Sequence, residues 1–113
     1  MRFLMLVCRD ESIEFGAEDR GMIGSRVQAW VAEMELRGVR LLGDVLAAVD
    51  ATVTVSTRDG KVDVEHGPRV AMSAPVSGFS LLECSDIDEA IEVSAKHPIA
   101  EFGLIELRPI VET

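Results

Sequence analysis

Cations are scarce in this chain: eleven Lys and Arg stand against twenty Asp and Glu, a formal net charge of -9. Nucleic-acid affinity comes largely from cationic side chains that displace counterions, so DNA and RNA are disfavoured as partners. Long apolar runs are missing too. The stretch Phe3-Leu4-Met5-Leu6-Val7-Cys8 is followed at once by Arg9-Asp10-Glu11 and no small-residue cleavage site; it reads as a strand rather than a signal peptide. Nothing approaches the ~20 apolar residues that span a bilayer, so the expectation is a soluble cytoplasmic protein with no membrane partner. The two cysteines, Cys8 and Cys84, lack the C-x-x-C spacing of a redox or zinc site; in apolar strand-like segments they read as small buried hydrophobes. The two histidines show no H-x-x-x-H or H-E-x-x-H spacing, which argues against a metal. There is no G-x-G-x-x-G, phosphate loop or G-x-S-x-G elbow, no repeat and no low-complexity segment, and no cofactor is expected.

What is present is patterned. A chain of 113 residues fits one domain, residues 1–113, and folding at this size buries roughly two-thirds of the extended surface. Phe3 to Cys8, apolar at every position, suits a central strand covered on both faces. Ala17 to Arg37 carries Ile23, Val27, Trp30, Val31 and Met34 at helical spacing, and Gly38 supplies a left-handed stop. Val39 to Leu46, broken by Gly43-Asp44, is assigned a short strand. Thr52 to Ser56 and Val62 to Glu65 alternate strictly around Asp59-Gly60, the signature of a hairpin with its valines inward. Val70 to Val76, with Pro75, reads as an irregular connection. Gly78 to Cys84 is the next strand, Ser85 caps a helix with Asp88 three residues on, and Ile87, Ala90, Ile91 and Ala95 form its buried face. Pro98 ends that helix, and Gly103 to Pro109 is the last strand.

This order predicts an open α+β sheet with both helices on one face. The other face then needs a cover. With a first strand apolar on both sides and no third helix, the simplest cover is a second copy of the sheet, a face-to-face homodimer.

Alternation sends Ile105 and Leu107 toward the helices and Leu104, Glu106 and Arg108 to the other side. There a guanidinium is suited to grip a carboxylate or phosphate, so Arg108 and Glu106 are candidate ligand-binding residues for a small anion. Two other readings stay open: they pair with each other, or cross the dimer as a salt bridge. His97, at a helix C-terminus whose dipole favours its protonated form, and His66, in a Gly-Pro turn, are the candidate acid–base residues. Capping of the last helical carbonyls is the alternative for His97, and an exposed loop position the alternative for His66.

The hairpin followed by His66-Gly67-Pro68, Gly78-Phe79-Ser80-Leu81-Leu82-Glu83, Ser85-Asp86-Ile87-Asp88-Glu89-Ala90, His97-Pro98 and Glu106-Leu107-Arg108-Pro109 resembles the YCII-related family, in particular its DGPF branch. The resemblance implies a ferredoxin-like fold that dimerises through its sheets into an α/β barrel. It implies little chemistry: most members are uncharacterised, a related group includes a dehydrochlorinase, a His–Asp pair in a cleft has been proposed as an active site, and DGPF members are often linked with sigma-factor regulation. The chain departs from the pattern at telling places. Asp-Gly-Pro-Phe appears as His66-Gly67-Pro68-Arg69, which adds Arg69 as a third candidate ligand-binding residue; the first-helix histidine has no counterpart among Val27, Gln28, Ala29 and Trp30; and the aspartate expected before the proline is His97. The His–Asp pair is therefore not carried over.

Two functions are expected from these readings. One is a small-molecule-binding or regulatory homodimer without catalysis; the alternative is a lyase or isomerase with His97 or His66 as general base and Arg108 holding an oxyanion, which requires the histidine and Arg108 to share one cleft. A partner module docking through Val70 to Val76 is a third.

Overall fold

The computed structural model of the chain describes residues 1–10, 12–13, 16–68 and 74–112, with residues 17 and 18 in backbone only. Its elements are β1 (Arg2–Arg9), α1 (Ala17–Leu36), β2 (Arg40–Val45), β3 (Val53–Arg58), β4 (Lys61–His66), β5 (Val76–Glu83), α2 (Ile87–Ala95) and β6 (Gly103–Pro109), with short 3-10 turns at Val49–Ala51 and Pro98–Glu101. The main sheet runs β2-β5-β1-β6, antiparallel at each pairing. This is a ferredoxin-like α+β order with a hairpin inserted between the second and third core strands.

Register assigns the two faces of the sheet. Phe3 lies opposite Leu82, Met5 opposite Ser80 and Val7 opposite Gly78, so these share the face that carries the helices. Against that face pack Trp30 and Met34 from α1 and Ala90 and Val93 from α2, all buried. The indole N–H of Trp30 donates to the Val93 carbonyl at 3.0 Å, tying the helices together inside the core. The end of α1 obeys local chemistry: Gly38 takes φ +72° just after it, a conformation glycine adopts without a Cβ clash.

On the other face stand Leu4, Leu6, Phe79 and Leu81, flanked by Leu42, Leu104, Glu106 and Arg108. Leu42 is 53% exposed and Leu104 63% exposed, so the described residues leave this side open. Among them, β1 is thus fully covered on one face alone, not on both as its composition suggests.

Three local expectations change. The cap of α2 is Asp86, not Ser85: its carboxylate accepts from the Glu89 N–H at 2.8 Å, while Glu89 Oε1 accepts from the Ser85 N–H at 2.9 Å. A box with glutamate at the third helical position reaches back where the shorter Asp88 does not. The buried face of α2 is Ala90, Val93 and Ser94, continued by buried His97; this i, i+3, i+4, i+7 stripe leaves Ile87 and Ile91 exposed. The third change is the hairpin. Asp59 (φ 53°) and Gly60 (φ 75°) make the expected left-handed turn, but β3 and β4 form a separate two-stranded sheet, and Val53, Val55, Val62 and Val64 are exposed to solvent rather than turned inward. The connection Val70 to Val76 largely falls outside the described residues, and Val76 itself opens β5.

Candidate functional site

A cavity of about 450 Å³ opens between α1 and the β2–β5 side of the sheet, on the helix-bearing face. Its walls are mostly apolar, with Val27, Trp30 and Val31 from α1, Val7 from β1 and Ile99 from the turn after α2. Gly24 of α1 also lines it, and a Cβ there would meet nothing within 4 Å. Across from α1, β2 contributes Arg40 and Gly43, and β5 contributes Gly78 and Ser80.

Arg40 is the buried charge in this cavity, and the exposed Asp44 also lines it. The Arg40 side chain is only 11% exposed and pairs with Glu35 Oε1 at 2.7 Å through Nη1, while Nε donates to Ser80 Oγ at 3.1 Å. Burying a guanidinium demands such partners, since an uncompensated charge in the interior costs several kcal/mol. Gly43 makes the arrangement possible: a Cβ there would run into the Phe79 carbonyl oxygen and the Arg40 guanidinium. The register irregularity between Arg40 and Leu42 accompanies this close approach. A Gly43→Ala variant is expected to lose about 1–3 kcal/mol by overpacking, read as a lower melting temperature; melting at the parent's temperature would show that β2 gives way freely.

His97 also lines this cavity, close enough to feel the Arg40 charge. It is 5% exposed, its ring stands edge-on to Trp30 with centroids 4.7 Å apart, and its Nδ1 accepts from the Ile99 N–H at 3.1 Å, capping the Pro98–Glu101 turn. Burial, reinforced by the Arg40 charge, pushes its pKa down to about 4. The ring is thus neutral at pH 7 instead of protonated by the dipole of α2, and it starts the following turn instead of capping the last carbonyls of α2. Because Nδ1 accepts the hydrogen bond from the Ile99 N–H, the neutral ring carries its own proton on Nε2. Polar groups at the cavity are thus the guanidinium, His97, the Asp44 carboxylate and the Ser80 hydroxyl, whose oxygen is already engaged by Arg40.

The other expected site residues lie elsewhere. Glu106 and Arg108 pair with each other at 3.6 Å, side chains 56% and 68% exposed, on the uncovered face of the sheet. Arg108 neighbours Leu4, whereas His97 shares its cavity with Val7 and Ser80, so the sheet separates the two within one chain. His66 ends β4 opposite Val53, exposed and outside the cavity. Arg69 lies outside the described residues. Among the described residues no group of three or more His, Cys, Asp or Glu side chains is placed to hold a metal, and no helix is long and apolar enough to cross a membrane. Cys8 and Cys84 are free and buried at opposite ends of the sheet, and burial raises both thiol pKa values.

Arg40 and Ser80 were not expected from the sequence. The available signal was a cation set in the run Val39–Leu46, which is apolar apart from Arg40 and Gly43-Asp44, three residues before that glycine.

The pattern of the YCII-related domain matches residues 1–113. No curated protein is detectably similar to the chain. Among solved structures it is similar to the 5-chloro-2-hydroxyhydroquinone dehydrochlorinase (TftG) of Burkholderia phenoliruptrix AC1100, in complex with 2,5-dihydroxybenzoquinone, at 15% identity and a TM-score of 0.49, covering 100% of this chain and 96% of that one.

Proposed function

The chain belongs to the YCII-related domain family, and from that membership and the cavity we propose that it is a homodimeric binding module for a small, mostly apolar anion. The order of its motifs favours the DGPF branch. The observation that carries the reading is the convergence of Arg40, His97 and Ser80 on one apolar cavity of about 450 Å³. An apolar pocket with a few convergent polar groups is the usual form of a small-molecule site, and here the buried guanidinium, shared with Glu35, is the cation an anionic ligand would meet.

The lyase or isomerase alternative is weaker on the same geometry. A general base needs a free nitrogen toward its substrate, and the one lone pair of His97 is committed to Ile99. Its low pKa also makes it a feeble base near neutrality. Arg108 stands exposed on the far side of the sheet and does not line the cavity, so the proposed ligand belongs with Arg40, and the face bearing Leu4, Leu6, Phe79 and Leu81 is where a second copy packs.

Calorimetric titration with benzoate, and with inorganic phosphate as a purely polar anion, tests the assignment. Benzoate binding is expected to weaken at least about tenfold in Arg40→Met, the usual scale for a lost charge-assisted hydrogen bond, and to stay unchanged in Arg108→Ala. Equal affinity for the parent and Arg40→Met overturns the site; loss confined to Arg108→Ala moves it to the other face of the sheet.

A further inference from the structure

The hairpin β3–β4 is patterned for burial yet has no cover among the described residues. Val55 lies directly opposite Val64, with Val53 opposite His66 and Thr57 opposite Val62, so the four valines share one face. The reverse face carries Thr54, Ser56, Arg58, Lys61, Asp63 and Glu65, a polar set suited to water. The valines nevertheless remain 52%, 61%, 67% and 52% exposed at positions 53, 55, 62 and 64. A lone two-stranded ribbon is marginal in water and needs further packing to persist.

The described body of the chain does not supply that packing. The molecule measures 47 × 44 × 19 Å, and its thin dimension is what one sheet and one helix layer occupy, at roughly 10 Å apiece. The hairpin therefore runs outward in the plane of the layers instead of folding over the bare sheet. Its base is held by the Gly67 N–H donating to the Thr52 carbonyl at 2.7 Å and by Thr54 Oγ1 donating to the Gly67 carbonyl at 2.9 Å. The radius of gyration is 16.1 Å, against about 13 Å for a compact domain of this length.

The accessible surface tells the same way. At 7733 Å² it exceeds by about 1,600 Å² the ~6,100 Å² typical of a folded monomer of this mass. A standard interface takes about 800 Å² from each partner, so the excess on one chain is about twice that share and leaves room for more than one contact. A second copy of the same chain presents the matching surface, because its own sheet face and hairpin are bare in the same way and a two-fold contact is self-complementary. The turn also sets Arg58 and Lys61 at the far end of the ribbon, cations reaching away from a chain whose net charge is -9.

We propose that β3–β4 is an intersubunit arm that lays the face of Val53, Val55, Val62 and Val64 on a second copy of this chain. The inference rests on the homodimer reading above and adds to it a second contact, distinct from the sheet face. Sedimentation equilibrium on the parent and on Val55→Thr/Val64→Thr separates the two. Threonine keeps the β-branched shape and its positions are exposed, so circular dichroism should match the parent while the dimer dissociation constant rises at least about tenfold. A parent dimer whose affinity the double substitution leaves unchanged overturns the arm and leaves the sheet-face dimer standing; a parent that sediments as a monomer at tens of micromolar overturns both. Isotope-filtered NOEs on a mixed-labelled parent sample give an answer that needs no variant: valine methyl contacts between chains are expected, and their absence in a dimer rejects the arm and leaves its face to a different protein.

Discussion

A Trp30→Ala variant is expected to lose about 3–5 kcal/mol of folding stability, the range seen when a large buried aromatic is cut back and its cavity only partly collapses. Total stabilities of small domains run at about 5–15 kcal/mol, so this one change removes a large share. Trp30 is 4% exposed, fills the seam between α1 and α2, and donates its indole proton to the Val93 carbonyl. It also forms part of the cavity wall and the edge contact for His97, so the ligand site should loosen with the core. Trp30→Phe tests the two contributions: it retains most of the volume and removes the donor, and a loss of about 1–2 kcal/mol fits one missing hydrogen bond plus a small void. Urea unfolding reads both variants as a lower midpoint at constant slope. A Trp30→Ala midpoint indistinguishable from the parent's would mean that the helices are held together by something else.

Acidification should destabilise the protein well before its carboxylates titrate. In the folded state His97 titrates at about 4 instead of 6.5, so between those values the unfolded chain binds a proton that the folded chain refuses. Stability therefore rises with pH across this window, is complete above about pH 6.5, and is lost as pH falls toward 4. Moving one group's proton affinity tenfold corresponds to about 1.36 kcal/mol, so the gap between the folded and unfolded ring is worth up to about 3 kcal/mol. Asp10 and Glu101, held low by Ser12 and Arg26 respectively, add their own acid sensitivity only near and below the ordinary carboxylate range. His97→Asn provides the control, since its amide oxygen can accept from the Ile99 N–H without a titrating ring. The variant should show a nearly flat profile from about pH 6.5 to 4.5, where the parent declines; parallel profiles would place the His97 ring in water.

The parts of this fold that are legible in the sequence are those written in local chemistry. The unbroken apolar run of β1, the Asp59-Gly60 turn, Gly38 after α1 and Pro98 after α2 each impose a backbone state on their own neighbourhood, and each is where the pattern puts it. The alternation of β6 likewise separates Ile105 and Leu107, packed on the core, from Glu106 and Arg108. The cavity is not legible, because Arg40 meets Ser80 across 40 positions of chain and comes near His97 only after both helices have packed. Ser85 and Asp86 are adjacent residues that can both accept hydrogen bonds, and only the reach of Glu89 decides between them. His97 differs from expectation for a related reason. Its place beside a helix end is visible in the sequence, but the burial that strips its charge involves Trp30 and Arg40, far away along the chain.

The position of β1 between β5 and β6 governs how the polypeptide matures on the ribosome. Residues 2–9 emerge well before their hydrogen-bonding partners, which span residues 76–109. At a synthesis rate of roughly 5–20 residues per second, the most apolar segment waits several seconds with both edges open. Slow translation or a stalled message should therefore channel nascent chains toward chaperones and aggregation, and pairing with the late strands ends that exposure.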